Sequence, residues 1–199
     1  MKLKKTYEKY EKKLKKIDKK PRKYIDFIWI IKITLAAYFI SLFFSGASEV
    51  IVPKFNTLSG IIVILLIVVI GVVFDMIGVS VTAADLKPFN SMASKKIRGS
   101  KTAINLITNA EKVSAFCNDV IGDIAGIISG SLGLMISQII ALENAFNMSV
   151  VTLLLTALIA ALTIGGKAIG KSYAINKSDI IVFRVAKIIS VFKREKLGK

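Results

Sequence analysis

Residues 61–74 read IIVILLIVVIGVVF, a run without one charged or hydrogen-bonding side chain. With its flanks, from about Leu58 to Ala84, and at about 1.5 Å per residue, the segment covers the ~30 Å hydrocarbon core of a bilayer. A helix that faces lipid needs no polar side chains, so the polar end of this segment is expected to line a polar interior. That end, DMIGVSVTAAD, carries Asp75, Gly78, Ser80 and Thr82.

The complete sequence combines high hydrophobicity with high positive charge. Of 199 residues, 54% are hydrophobic, the mean hydropathy is +0.63 and the formal net charge is +16 at pH 7. Long uncharged runs alternate with short lysine-rich runs, so the two properties occupy different stretches of chain. This pattern is typical of a membrane protein and argues against a soluble nucleic-acid binder, so no nucleic-acid partner is expected.

The sequence lacks residues that disulfide formation, transition-metal binding and catalysis usually require. The chain has one cysteine, Cys117, and no histidine. An intrachain disulfide is therefore impossible, and the usual general base and the usual ligand of zinc, copper or iron are missing. Nucleophilic catalysis would leave Cys117 only Asn118 and Asp119 as neighbouring partners, so we expect no enzymatic activity.

The expected fold class is all-α, a polytopic membrane protein with about four transmembrane helices plus amphipathic interfacial helices. The spans are expected at about 27–47, 58–84, 119–141 and 150–166. The chain is expected to begin with a basic amphipathic cytoplasmic helix at 1–26, followed by an extra N-terminal transmembrane helix and loop at 27–57. A transmembrane domain follows at 58–170, and it contains a cytoplasmic connector at 85–116 that Pro88 and Gly99 break. A basic tail with an interfacial helix occupies 171–199.

The basic residues predict the orientation. The N-terminal segment, the connector and the tail hold 12, 6 and 8 Lys/Arg, which is 26 of the 29 in the chain. An even number of spans places these three regions on one face, and the positive-inside rule makes that face cytoplasmic. We therefore expect a multi-pass protein of the cell (plasma) membrane, with both termini in the cytoplasm.

The N-terminal segment has apolar residues at heptad spacing as far as Pro21, which ends the helical pattern. One interpretation is a helix that lies on the anionic inner leaflet of the bilayer and is held there by its lysines. The other is a short coiled coil with a protein partner. The sequence leaves both open.

The third span carries glycine at every fourth position. Gly122, Gly126 and Gly130 form a small-xxx-small ridge that Gly133 extends. Such a ridge lets a second helix approach closely in a membrane. It indicates either packing within one chain or the interface of a homodimer.

Polar residues near this ridge are the candidate metal ligands. Asp119 and Asp123 are four residues apart on one helical face, and a carboxylate inside a bilayer is costly unless it is paired, protonated or metal-bound. Oxygen ligands suit a hard cation such as Mg²⁺. The alternatives are an interfacial cap for Asp119 and a static ion pair of Asp123 with Lys32 or Lys167. The candidate metal ligands are Asp123, Asp119, Asn118, Ser129 and Asp75.

Four stretches, in order, resemble the transmembrane domain of the CNNM/CorC (CorB) magnesium transporters, and the resemblance covers roughly residues 65–192. They are VVFDMIGVSVTAADLKPF, GSKTAINLITNAEKVSAF, DVIGDIAGIISGSLG and GKAIGKSYAINKSDIIVF. The resemblance implies a homodimer with three core helices per subunit and an Mg²⁺ site built from side-chain and carbonyl oxygens. Matched by position, Asp123 falls where the family places threonine or asparagine next to the ion path.

The chain departs from the family at the exit from the last span. Where the family has Gly-Glu-x-x-Pro-Lys-Ser, Lys167 replaces the glutamate and Gly170 replaces the proline. No CBS-pair regulatory domain is expected in this chain, so a separate regulatory partner would have to supply that function.

Two functions are therefore weighed. The first is a transporter, or transporter-like protein, for a divalent cation, with Mg²⁺ as the expected transported ion, Co²⁺ as a second candidate and no organic cofactor. The alternative is a non-transporting membrane scaffold or subunit with a basic cytoplasmic face. Both have the lipid bilayer, with its anionic inner leaflet, as a partner.

Overall fold

The computed structural model describes residues 27–51 and 56–192, without the side chains of 47–51 and 192. The predictions for the N-terminal segment 1–26, the loop around Pro53 and the last seven residues lie outside this part of the chain. All regular secondary structure among the described residues is helical, without a strand, which confirms the all-α fold class. Within this part of the chain, four helical stretches are long and apolar enough to cross a membrane: Phe27–Gly46, Thr57–Ala83, Ala110–Asn144 and Met148–Asn176.

The first helix, α1, runs from Phe27 to Ile51. Tyr38 and Phe39 make an edge-to-face ring contact, as do Phe43 and Phe44. No residue of the most apolar segment within Phe27–Gly46 is buried. Side chains that face lipid in a bilayer are exposed in this way when the polypeptide is viewed without its membrane. The chain divides into two compact units between Leu35 and Ala36, inside this helix.

Within the second unit, three spans pack against one another. They are α2 (Thr57–Ala83), a continuous helical stretch from Ala110 to Asn144, and α7 (Met148–Asn176). The continuous stretch consists of α5 (Ala110–Ala115), a π-helical segment (Phe116–Gly122) and α6 (Asp123–Asn144).

Local signals at one end of the bundle set where these helices begin and end. The Asn56 and Asn147 side chains accept backbone N–H groups at the starts of α2 and α7, as asparagine commonly does at a helix N-terminus. Ala145, with φ 52°, ends α6 in the left-handed conformation. The Thr57 hydroxyl donates to the Glu143 carboxylate at 3.0 Å, which joins the start of α2 to the end of α6.

At the other end of α2, three shorter helices form a second core. They are α3 (Leu86–Ser94), α4 (Ser100–Thr108) and α8 (Ser178–Phe192). The prediction for the connector and the tail was of interfacial helices, whereas the structure shows that these helices also pack on one another. The buried residues of this core are Val81, Phe89, Ala103, Val182 and Ala186.

The contact between α4 and α8 depends on a close backbone approach. Gly99 has φ 89° and precedes α4, and a Cβ there would lie 3.1 Å from the Lys187 Cα. Glycine alone fits both the conformation and the space. Pro88, predicted to break the connector, instead lies in the first turn of α3, where the lack of an N–H costs nothing.

Two predicted spans are longer in the structure. The predicted span at 119–141 is part of the helical stretch that starts at Ala110, and the predicted span at 150–166 continues to Asn176. Lys167 and Lys171 therefore lie within α7 rather than at its end. A terminal turn of lysines and glycines is polar by composition but can still be helical when it packs on a neighbour.

Candidate functional site

Asp75 lies on the buried face of α2. Gly71, Asp75 and Gly78 follow at intervals of four and three residues, which places them on one side of a helix, and all three are buried. The relative exposure of Asp75 is only 3%. A carboxylate in this position needs an electrostatic partner, because burying an unpaired charge costs several kcal/mol.

A lysine of α7 lies beside this carboxylate. Lys171 Nζ lies 3.7 Å from Asp75 Oδ2, and the Lys171 side chain is 51% exposed. The pair is too long for a hydrogen bond, and among the described residues the buried acceptor Asp75 Oδ2 has no hydrogen-bond partner. One oxygen of the acid therefore has an electrostatic neighbour but no donor.

Asn118 supplies a second buried acceptor of this kind. Its amide nitrogen donates to Ser114 Oγ at 3.2 Å, while its Oδ1 is buried without a hydrogen-bond partner. Oδ1 lies against Gly78, so closely that a Cβ on this glycine would overlap it. The amide oxygen is thus directed at α2, one turn beyond Asp75.

The π-helical segment Phe116–Gly122 positions Asn118. Segments of this kind are rare, and they occur often at functional sites because the wider turn redirects side chains. Where this segment ends and α6 begins, small residues allow α2 to approach closely. A Cβ on Gly71 would lie 2.9 Å from the Ala125 Cβ and 3.6 Å from the Gly122 carbonyl oxygen.

The approach of α7 to α2 depends on two further glycines. A Cβ on Gly166 would lie 2.9 Å from a methyl group of Val72, and one on Gly170 would lie 2.7 Å from Met76 Cγ. The close packing of Gly170 brings the next residue, Lys171, within reach of Asp75. Asp75, Asn118 and Lys171 therefore come from three different spans.

Asp123 takes part in a separate ion pair. Lys167 Nζ donates to Asp123 Oδ1 at 3.4 Å, and the two side chains are 21% and 66% exposed, respectively. The Asp123 side chain, a predicted metal ligand, therefore lies on a face of α6 that is exposed in the single chain. The structure has the ion pair with Lys167 that the sequence left open as an alternative.

Asp119 and Ser129, the remaining predicted ligands, differ from the two buried acceptors in exposure or in hydrogen bonding. Asp119 is exposed. Ser129 is buried, but its hydroxyl donates to the Gly126 carbonyl oxygen at 3.0 Å, one turn back in its own helix. Of the five predicted metal ligands, Asp75 and Asn118 are the two that have a buried side-chain oxygen without a hydrogen-bond partner among the described residues.

The glycine ridge of the third span divides into two sets. Gly122 packs near Gly71, and a Cβ on Gly133 would overlap Ile159 Cδ1 of α7, so both serve contacts within the chain. At Gly126 and Gly130 a Cβ would meet nothing within 4 Å. The second pair is open to a lipid or to another polypeptide.

Sequence reasoning missed two members of the site. Lys171 was assigned to the tail, and Ser114 to the cytoplasmic connector. The available signal was the spacing of Gly166 and Gly170, which places two small residues on one face of a helix just before a lysine. A lysine that follows such a packing face lies near the neighbouring helix.

These features define a class, an all-α membrane-spanning protein with a buried carboxylate and a buried amide oxygen where three spans meet. Comparison with protein-family models, with curated proteins and with solved structures found no match for this chain.

Proposed function

We propose that the chain is a divalent-cation transporter, or a transporter-like protein, that binds Mg²⁺ at Asp75 and Asn118. The observation that carries the proposal is the pair of buried acceptors without hydrogen bonds, Asp75 Oδ2 and Asn118 Oδ1. Buried polar atoms without a donor are rare in native proteins, and a bound cation can satisfy such acceptors in place of a donor.

The chemistry of the two acceptors favours a hard cation. A carboxylate oxygen and an amide oxygen are ligands that Mg²⁺ and Ca²⁺ prefer, and Mg²⁺ binds through one or two carboxylates while keeping several waters. Their position between membrane spans favours transport, because ionisable groups inside a bilayer commonly mark ion pathways. The resemblance to the CNNM/CorC transporters supports the same conclusion.

The ligand set also predicts weak binding. Among the described residues there is no group of three acidic, cysteine or histidine side chains that could hold a metal. With a single carboxylate, the dissociation constant is expected to be on the order of 10⁻⁴–10⁻³ M, comparable with low-affinity calcium modules. Such affinity suits an ion that must leave the site again.

The proposed location is the plasma membrane, with both termini cytoplasmic. The support is the distribution of charge, since 26 of 29 basic residues fall in the three regions that an even number of spans would place together. In this orientation α2 and α7 end on the cytoplasmic side, and Lys171 lies between Asp75 and the cytoplasm.

A second function, a membrane subunit or scaffold without transport, is favoured by the ion pairs. Asp75 and Asp123 each have a lysine within 4 Å, at Lys171 and Lys167. Two such pairs would stabilise a static bundle without any bound ion. Ion binding and ion flux distinguish this function from transport.

Cys117 makes a direct binding experiment possible, because a buried thiol reacts with a fluorogenic maleimide only when the protein unfolds. We would melt the detergent-solubilised chain over a MgCl₂ series at constant ionic strength. The melting temperature should rise once the Mg²⁺ concentration exceeds the dissociation constant and should then increase with the logarithm of the concentration, since a ligand at 100 times its dissociation constant adds about 2.7 kcal/mol. The rise should vanish in Asp75→Asn. In Asn118→Leu it should require a Mg²⁺ concentration at least about tenfold higher.

Asp119→Asn and Asp123→Asn serve as matched controls and should respond to Mg²⁺ like wild type. An equal response in Asp75→Asn and wild type would overturn the proposed site. Vesicles loaded with a Mg²⁺-sensitive dye then test transport. Binding without Asp75-dependent Mg²⁺ entry would make the chain a binding subunit rather than a transporter.

A further inference from the structure

Lys171 and Asp75 form an asymmetric pair. The carboxylate is nearly inaccessible, with its side chain 4% exposed, while the lysine side chain is 51% exposed. The lysine backbone is held in place, because the preceding Gly170 packs tightly on Met76. One partner of the pair is therefore fixed and buried, and the other is a long side chain with access to its surroundings.

We propose that the Lys171 ammonium group is a tethered cation that competes with the divalent ion for Asp75. It neutralises the carboxylate when the ion is absent and moves away when the ion binds. This inference rests on the proposed function. It adds a regulatory element of the same site, which sets the affinity of the site and blocks its cytoplasmic side.

The geometry fits a displaceable partner. At 3.7 Å, Lys171 Nζ makes no hydrogen bond to Asp75 Oδ2, whereas the Lys167–Asp123 pair is hydrogen-bonded at 3.4 Å. Lysine carries a compact charge on a flexible four-carbon stem. Lys171 lies five residues before Asn176, the last residue of α7, so its side chain can extend toward the headgroup water.

Electrostatics make the two cations alternatives. A divalent ion bound to Asp75 Oδ2 would lie within a few ångströms of the ammonium position, and like charges at this distance repel strongly where water is scarce. Without either cation, the buried carboxylate would be unpaired. The ammonium group thus keeps the empty site stable and lowers its apparent affinity for the ion.

The test is the same Mg²⁺ melting series on Lys171→Gln, Lys171→Arg and Lys177→Gln. The glutamine variant should have a lower melting temperature without Mg²⁺, but its melting temperature should begin to rise at about tenfold lower Mg²⁺. The arginine variant, which keeps the positive charge, should remain within about threefold of wild type. Lys177→Gln removes an exposed lysine just after the same helix and should also match wild type.

A loss of packing alone would not tighten ion binding, so the direction of the shift separates competition from a structural role. An unchanged or weaker Mg²⁺ response in Lys171→Gln, with a normal wild-type response abolished by Asp75→Asn, would overturn the tethered cation and leave the site intact. If neither wild type nor Lys171→Gln responds to Mg²⁺, the proposed function and this inference both fail. Tight binding in Lys171→Arg as well would mean that the positive charge is not the cause.

Discussion

A methyl group added at Gly78 would disturb the candidate site directly. Its Cβ would overlap Asn118 Oδ1, so Gly78→Ala must displace the amide or separate α2 from the π-helical segment. Overpacking of this kind typically costs about 1–3 kcal/mol, and we expect a lower melting temperature together with loss of the Mg²⁺ response. The Cys117 maleimide assay measures both.

Gly165→Ala is the matched control, because a Cβ at this helical glycine would meet nothing within 4 Å. Alanine has the higher helix propensity, so this variant should be unchanged or more stable by about 0.5–1 kcal/mol. Equal melting temperatures and equal Mg²⁺ responses in the two variants would show that Asn118 is not held where the structure places it.

Whether the role of a single residue can be predicted from the sequence depends on where its contact partner lies in the chain. Asp75 and Asn118 stand out as polar residues in apolar surroundings, which composition alone reveals. Their relative importance does not follow from composition. The partner of Asp123 is 44 residues away along the chain, and a contact between two helices at this separation depends on their relative rotation.

Among the helices, the core formed by α3, α4 and α8 should control how firmly the C-terminal helix is held. Phe89 is 1% exposed within it. Phe89→Ala should leave a cavity and cost about 3–5 kcal/mol at that core. We expect faster trypsin cleavage of the detergent-solubilised protein at Arg184 and Lys187 in α8, by about tenfold or more, because α8 opens more often.

The control for this experiment is Asn90→Ala, a truncation at the neighbouring, exposed position of α3. It should be cleaved at the wild-type rate. If Phe89→Ala is cleaved at that rate too, α8 is held by something other than this core, such as the lipid surface that the amphipathic pattern of the tail suggests.

The helices also show where sequence patterns are weak. Hydrophobic runs located all four membrane-spanning stretches, since a run of apolar residues long enough to cross a bilayer rarely occurs in a soluble protein. The extension of α7 past Gly166 and the π-helical segment were not predicted. Both depend on packing against α2, and neither changes the local composition of the chain.

At the scale of the whole molecule, the outer face of α6 is a surface suited to contact with another polypeptide. Asp123 is exposed there, and Gly126, Gly130 and Ser131 are partly exposed. Lipid favours large apolar side chains, whereas small and polar residues on the surface of a span favour contact with another helix. A second copy of the chain is the expected partner, as the glycine ridge suggests.

Gly126→Leu tests this dimer, because the larger side chain would prevent close approach of the second copy while nothing in the same chain lies within 4 Å of a Cβ there. By light scattering in detergent, wild type should have twice the protein mass of the 21.7 kDa chain, and Gly126→Leu the mass of one chain. Gly165→Leu, an equal enlargement on α7, should remain dimeric. A single-chain mass for wild type would exclude the dimer. A dimeric Gly126→Leu would move the interface to another face and leave the polar surface of α6 to contact headgroups or a different protein.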